Sequence, residues 1–133
     1  MSALDDRLNT ALGASLAGGR LAIGAGIWFA PQPAAQALGF DELGARELVL
    51  ARLLATRDLG LGAYLVRGLS NQAGLRPAVQ VSVVFDAADA VAFGLLAASG
   101  GRYARGGRRG AAAAIAAVGL GAWLNRRLAP GYI

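Results

Sequence analysis

Arg52-Leu-Leu-Ala-Thr-Arg57-Asp58 lies in the middle of an apolar run, residues 45–66, and Asp86-Ala-Ala-Asp89 answers it near the centre of another, 78–99. A third run, 8–29, carries Arg20 close to its midpoint. If these runs are helices of similar length packed side by side, Arg20, Arg52, Arg57, Asp58, Asp86 and Asp89 share one depth. Three are positive and three negative. That layer implies an all-α fold, a four-helix transmembrane bundle with its charges turned inward. The expected helices span about 8–29, 45–66, 78–99 and 111–124, in a single integral membrane domain covering residues 1–133.

Composition points the same way. Of the 133 residues 56% are apolar and 16% charged, against roughly 25% charged in soluble domains. Every basic residue is Arg, and the Lys that coats most soluble surfaces is absent. There is no Cys and no His. Disulfides, thiolate chemistry, imidazole bases and His- or Cys-ligated metals are therefore excluded, and no cofactor or metal is expected. A net charge of +5 in so apolar a chain reads as membrane-interface charge.

The first run is long enough for a bilayer core, which needs about 20 helical residues. Ala14, Gly18, Ala22 and Gly26 recur along it at every fourth position, a smooth face that predicts close approach by another helix of the same or a second protomer. Ser2 and Asp5 suggest a capping box. Trp28 and Phe29 suit the interface, and Pro31-Gln-Pro33 is expected to break the helix, with a short interfacial helix over 34–40 ending at Gly39. Pro77 is expected at the first position of the third helix. Residues 100–110, with five Gly and four Arg, read as a loop, and Pro130-Gly131 as the stop of the last helix. A soluble bundle is the competing reading. It lacks the polar face that a water-exposed helix needs.

Orientation is nearly balanced. Arg7, Arg67, Arg76, Arg126 and Arg127 fall on one side, and Arg102, Arg105, Arg108 and Arg109 on the other, with Arg46 near it.

A charge at mid-membrane costs roughly 2.5–3.5 kcal/mol on insertion scales, so pairing is expected. Asp86 and Asp89 share a helix face with Ser82, Phe85 and Phe93. Arg57 and Arg52 are expected to face these acids, with Arg20 closing the layer; Glu47 needs no partner at the interface. Two acids in one apolar site repel, so one of Asp86 and Asp89 is expected to hold a proton at pH 7. A protonated acid beside an ionised one is equipment for acid–base work.

Arg20-Leu-Ala-Ile-Gly, Pro31 with Leu38-Gly39, Ala51-Arg52 with Arg57-Asp58-Leu-Gly-Leu-Gly62, and Asp86-Ala-Ala-Asp89, in this order, resemble a family of small four-span bacterial membrane proteins of unknown function. The resemblance covers roughly residues 18–98. It implies four membrane helices in a bacterial cytoplasmic membrane and supplies no activity.

The functional expectation is a membrane enzyme of hydrolase or cyclase type acting on a lipid-soluble, isoprenoid- or epoxide-like substrate. Asp86, Asp89 and Asp58 are its acid–base candidates. Arg20, Arg52, Arg57, Ser82, Phe85 and Phe93 would bind and orient the substrate. Membrane lipid and a hydrophobic small molecule are the expected partners, a homo-oligomer is open, and nucleic acid is not expected. The alternatives are a non-catalytic subunit whose charge pairs are structural, and an ion or proton path. Arg105-Gly106-Gly107 reads as a basic loop. Gly24 with Gly26, and Gly60 with Gly62, read as helix-packing positions.

Overall fold

A computed structural model describes residues 3–129. Ser2 and Pro130-Gly131, each given a role above, lie outside these residues. Five helices account for most of the described chain: α1 (Ala3–Phe29), α2 (Pro31–Ala37), α3 (Ala45–Leu69), α4 (Gln72–Ala98) and α5 (Ala104–Arg127). The four long ones run alternately up and down. α1 packs along α3, α4 along α5, and the α3–α4 contact joins the two pairs. The short α2 crosses one end.

Glycines set how closely the helices approach. A Cβ on Gly24 would stand 3.0 Å from the Ala55 carbonyl oxygen, and one on Gly62 2.8 Å from the Leu21 side chain. Across α4 and α5, a Cβ on Gly107 would be 2.7 Å from the Ala97 backbone nitrogen. Backbones this close gain dispersion contacts that larger side chains would prevent. Gly26 and Gly60, the other members of the two expected glycine pairs, have nothing within 4 Å of such a Cβ. The apolar core gathers Ala17, Leu65, Leu75, Ala78, Val79 and Leu124 at the end of the bundle opposite α2.

Several expected boundaries move. α4 starts five residues before Pro77, because the Asn71 side chain accepts from the Ala73 N–H (3.1 Å) and caps the helix there. Pro77 therefore lies inside the helix, where it removes one ladder bond. The first helix breaks before Pro31 as expected, ending at Phe29, but Pro31 and Pro33 do not keep the chain that follows out of helix, and α2 starts at Pro31 rather than at 34. Both lie in the first turn of α2, where a missing N–H costs no ladder bond. α2 ends at Ala37 with Leu38 as its C-cap, two residues before Gly39, where the end was expected and whose φ of +87° is the left-handed conformation glycine tolerates best. The Phe40 N–H bonds to the Ala35 carbonyl (2.9 Å) and the Gly39 N–H to that of Gln36 (2.9 Å), which together turn Phe40 back toward the bundle.

The expected loop 100–110 is a loop only at its start. Gly100 and Gly101 take φ values of +73° and +74°, and α5 begins at Ala104. Its first turns looked aperiodic because glycines, rather than large apolar residues, form the packed stripe. Gly106 and Gly107 are buried, and Gly110 lies against the Phe93 ring.

The stripe Ala14–Gly18–Ala22–Gly26 turns away from the rest of the protomer. Ala14, Gly18 and Ala22 are exposed, and a Cβ on Gly18 or Gly26 would meet nothing within 4 Å. The buried stripe of α1 is Gly13, Ala17, Arg20 and Gly24. Arg20 sets this rotation, since it must face the carboxylates inside.

Candidate functional site

Five of the six expected charges form one continuous network across α1, α3 and α4. Arg20 is 8% exposed and Asp86 6%. The Arg20 guanidinium donates through Nη1 to Asp58 Oδ1 (3.0 Å), and through Nη2 to Asp86 Oδ1 (2.5 Å) and the Ser82 carbonyl (3.3 Å). Arg57 grips Asp89 with Nη1 to Oδ1 (2.8 Å) and Nη2 to Oδ2 (2.6 Å), and Nη2 also reaches Asp58 Oδ1 (3.2 Å). Asp58 Oδ1 thus accepts from both arginines and links the two pairs. The planar fork of Arg suits such two-pronged binding, and its charge persists at any working pH.

Arg52 is the exception. It lies on the exposed side of α3 and its Nε reaches the Trp28 carbonyl at 3.5 Å. Five residues separate it from Arg57, about 500° of helical rotation, or 140° away from Arg57's direction. Only one of the two can face α4.

Ser82 is buried beside the network, but its hydroxyl and Arg57 Nε have no hydrogen-bond partner among the described residues. The Phe85 ring centroid is 5.4 Å from the Arg57 guanidinium carbon, a cation–π distance. Phe93, expected on the same face, is two turns further along and pairs with Phe40 at 6.3 Å between ring centroids.

Phe40 and Phe93 belong to a separate feature that the sequence reading missed. An apolar cavity of about 380 Å³ lies at the α2 end, lined by Ile27, Ala35, Phe40, Ala51, Leu54 and Phe93 among others. None of Arg20, Arg57, Asp58, Asp86 and Asp89 lines it. Glu47, expected to need no partner, sits at this cavity and accepts from the Tyr103 hydroxyl (3.3 Å), which is also bonded to Arg102. Glu47, Ala51 and Leu54 are spaced along one face of α3, and Gly106, Gly107 and Gly110 along one face of α5. The second spacing was the available signal that something large, here Phe40 and Phe93, packs against α5.

No protein family, no curated protein and no solved structure matches this chain. The resemblance drawn from the Arg57-Asp58 and Asp86-Ala-Ala-Asp89 motifs therefore assigns no family, and the site must be read from its own geometry.

Two helices, α1 and the 73–98 part of α4, are long and apolar enough to cross a membrane. α3 and α5 do not meet that description: α3 carries Arg52 as well as the network's Arg57 and Asp58, and α5 has arginines at both ends. The apolar windows of α1 and α4 are only 22% and 11% buried within the bundle.

Proposed function

We propose that this chain is a four-span membrane protein that binds a lipid-soluble molecule in the apolar cavity, with the Arg–Asp network fixing helix order and register. One observation carries the membrane reading: the bundle is inside-out relative to a water-soluble one. Val84 and Leu95 are each 68% exposed and Ile115 62%, whereas Arg20 and Asp86 are buried. Water would penalise that apolar exterior by about 25 cal/mol for each Å², and lipid would not. A core helix of a soluble protein would be mostly buried, unlike α1 and α4. A cleaved leader would take Arg20 with it and strand Asp86, whose one guanidinium partner is Arg20.

α3 and α5 are spans in this reading because their charges are managed locally. Arg57 and Asp58 are paired inside, and the arginines of α5 cluster at its first turns, at headgroup depth. Paired charges in an Ala- and Gly-rich bundle specify which helices neighbour which, a role attested for buried polar groups elsewhere. The binding reading rests on the cavity, whose volume and apolar lining are those of a small-molecule site.

A second reading keeps Asp58, Asp86 and Asp89 as acid–base groups acting on an isoprenoid- or epoxide-like substrate. The unpartnered Ser82 hydroxyl and Arg57 Nε beside the network favour it. The binding reading is preferred because each of the three carboxyls is already held by a guanidinium.

The test is titration of the purified protein in detergent with a diacylglycerol bearing a fluorescent acyl chain. Saturable binding is expected, and Ala51→Trp, which fills the cavity, should abolish it without lowering the melting temperature. Unsaturable partitioning, equal for parent and variant, would contradict the binding reading.

A further inference from the structure

A second cavity of about 250 Å³ lies at the same end of the bundle, lined by Gly39, Asp41, Gly101, Arg102, Ala104, Arg105 and Arg108. Consecutive residues of two segments serve the two cavities in turn. Leu38, Phe40 and Leu43 line the apolar one, while Gly39 and Asp41 line the polar one. On the other segment Tyr103 faces the apolar cavity, and Arg102 and Ala104 the polar one. The two spaces are therefore adjoining compartments separated by one thickness of chain.

The polar compartment has a surplus of positive charge. Three arginines face a single acid, Asp41, so its lining carries a formal +2. No ion pair is made by Arg102, Arg105 or Arg108 among the described residues. The charge also stands at the wrong end of its helix. A helix N-terminus carries about half a positive charge and favours acids, yet the first turn of α5 has none, and Arg105 and Arg108 lie in its first two turns. The helix dipole gives no reason to put guanidiniums there, although headgroup depth suits them. A bound anion would offset both the side chains and the helix end.

We propose that this compartment holds the phosphate headgroup of a membrane amphiphile whose hydrocarbon part occupies the adjoining apolar cavity. The proposal rests on the ligand-binding reading above and narrows it to an anionic lipid class. A phosphate monoester carries roughly −1.5 to −2 near neutral pH, which matches the +2 of the lining. Arg105 and Arg108 would grip its oxygens as forks. Arg102, bonded to the Tyr103 hydroxyl and the Glu42 carbonyl (3.3 Å), lies where the two compartments meet. A free phosphate would satisfy the arginines and leave the apolar cavity without purpose. An uncharged lipid would do the reverse.

The experiment compares three probes on the protein in detergent: phosphatidic acid and diacylglycerol carrying the same fluorescent acyl chain, and inorganic phosphate as competitor. Phosphatidic acid should bind at least about tenfold more tightly than diacylglycerol, as expected for charge-assisted hydrogen bonds. Arg105→Gln with Arg108→Gln should remove that preference and leave diacylglycerol affinity unchanged. Both side chains are exposed and make no ion pair, so the fold should tolerate the change. Added salt should weaken phosphatidic acid binding in the parent alone. Equal affinity for the two lipids, unaffected by the Arg variants, would overturn the headgroup proposal while leaving the apolar cavity as a binding site. Inorganic phosphate competing as strongly as the lipid would overturn it too, and assign the arginines to a free anion. Failure of both lipids to bind would instead remove the underlying ligand-binding reading.

Discussion

Arg57 and Asp89 face each other across the α3–α4 interface with two parallel hydrogen bonds, 2.8 and 2.6 Å long. Each side chain is about four-fifths buried, with 22% and 21% exposed. Such a pair is largely shielded without being sealed off. Its main contribution is to forbid other arrangements: any slip of α4 along α3 would leave a guanidinium and a carboxylate unpaired in an apolar setting.

Breaking the pair from one side should therefore cost more than deleting it. Arg57→Leu strands Asp89 and leaves the three carboxyls with one guanidinium, which should cost about 3 kcal/mol, the low end for a buried pair. Arg57→Leu with Asp89→Leu should recover most of that loss, because no unpaired charge remains between the helices. Denaturation in a single detergent measures both. A double variant as unstable as the single one would show that the pair contributes net stability of its own.

The two acids of Asp86-Ala-Ala-Asp89 should differ. Asp89 is held by two bonds from one guanidinium, whereas Asp86 takes one bond from an Arg20 that also holds Asp58. The network has three carboxyls for two guanidiniums, so it tolerates losing one negative charge. Asp86→Asn keeps an oxygen that can accept from Arg20 and should melt within a few degrees of the parent. Asp89→Asn replaces half of a two-pronged grip with an amide that cannot accept, and should melt clearly lower. Equal losses at both positions would contradict this ranking.

Small residues should split by the direction they face. Gly62→Leu and Ala17→Leu should destabilise the protomer, since Ala17 is 2% exposed and a Cβ at Gly62 already meets Leu21. Ala22→Leu should leave the melting temperature unchanged, because Ala22 is exposed. If Ala22→Leu instead shifts the protein to a smaller species on size-exclusion chromatography, the outward stripe is a contact between protomers.

The charges were the most legible part of the chain. Arg20, Arg57, Asp58, Asp86 and Asp89 are conspicuous in apolar surroundings, and the cost of leaving them unpaired predicts that they meet. Arg52 is equally conspicuous, but its angle around α3 relative to Arg57 settles its place, and depth alone could not. The start of α5 was hidden because its packed face is built of glycine, which hydrophobic periodicity does not count. Pro77 misled for a related reason: Asn71 offered a better cap upstream, and one lost ladder bond did not outweigh it. The cavity was illegible because it is made by α2 and the 38–43 segment folding over the ends of α1, α3 and α4. No single stretch of sequence contains it.

Membrane integration should be complete. The expressed protein should remain in the membrane fraction after carbonate extraction and need detergent for release. Recovery as a water-soluble monomer would contradict the proposed setting of the bundle.

The number of spans is the central claim, and the absence of cysteine makes it directly measurable. Single cysteines at Asp41, Ser70 and Ser99 fall between α1 and α3, between α3 and α4, and after α4. A membrane-impermeant maleimide, applied to intact cells, labels only those outside. Four spans predict that Asp41→Cys and Ser99→Cys behave alike and Ser70→Cys oppositely. If only α1 and α4 cross, Asp41→Cys and Ser70→Cys will behave alike and Ser99→Cys oppositely, and the four-span bundle will be wrong.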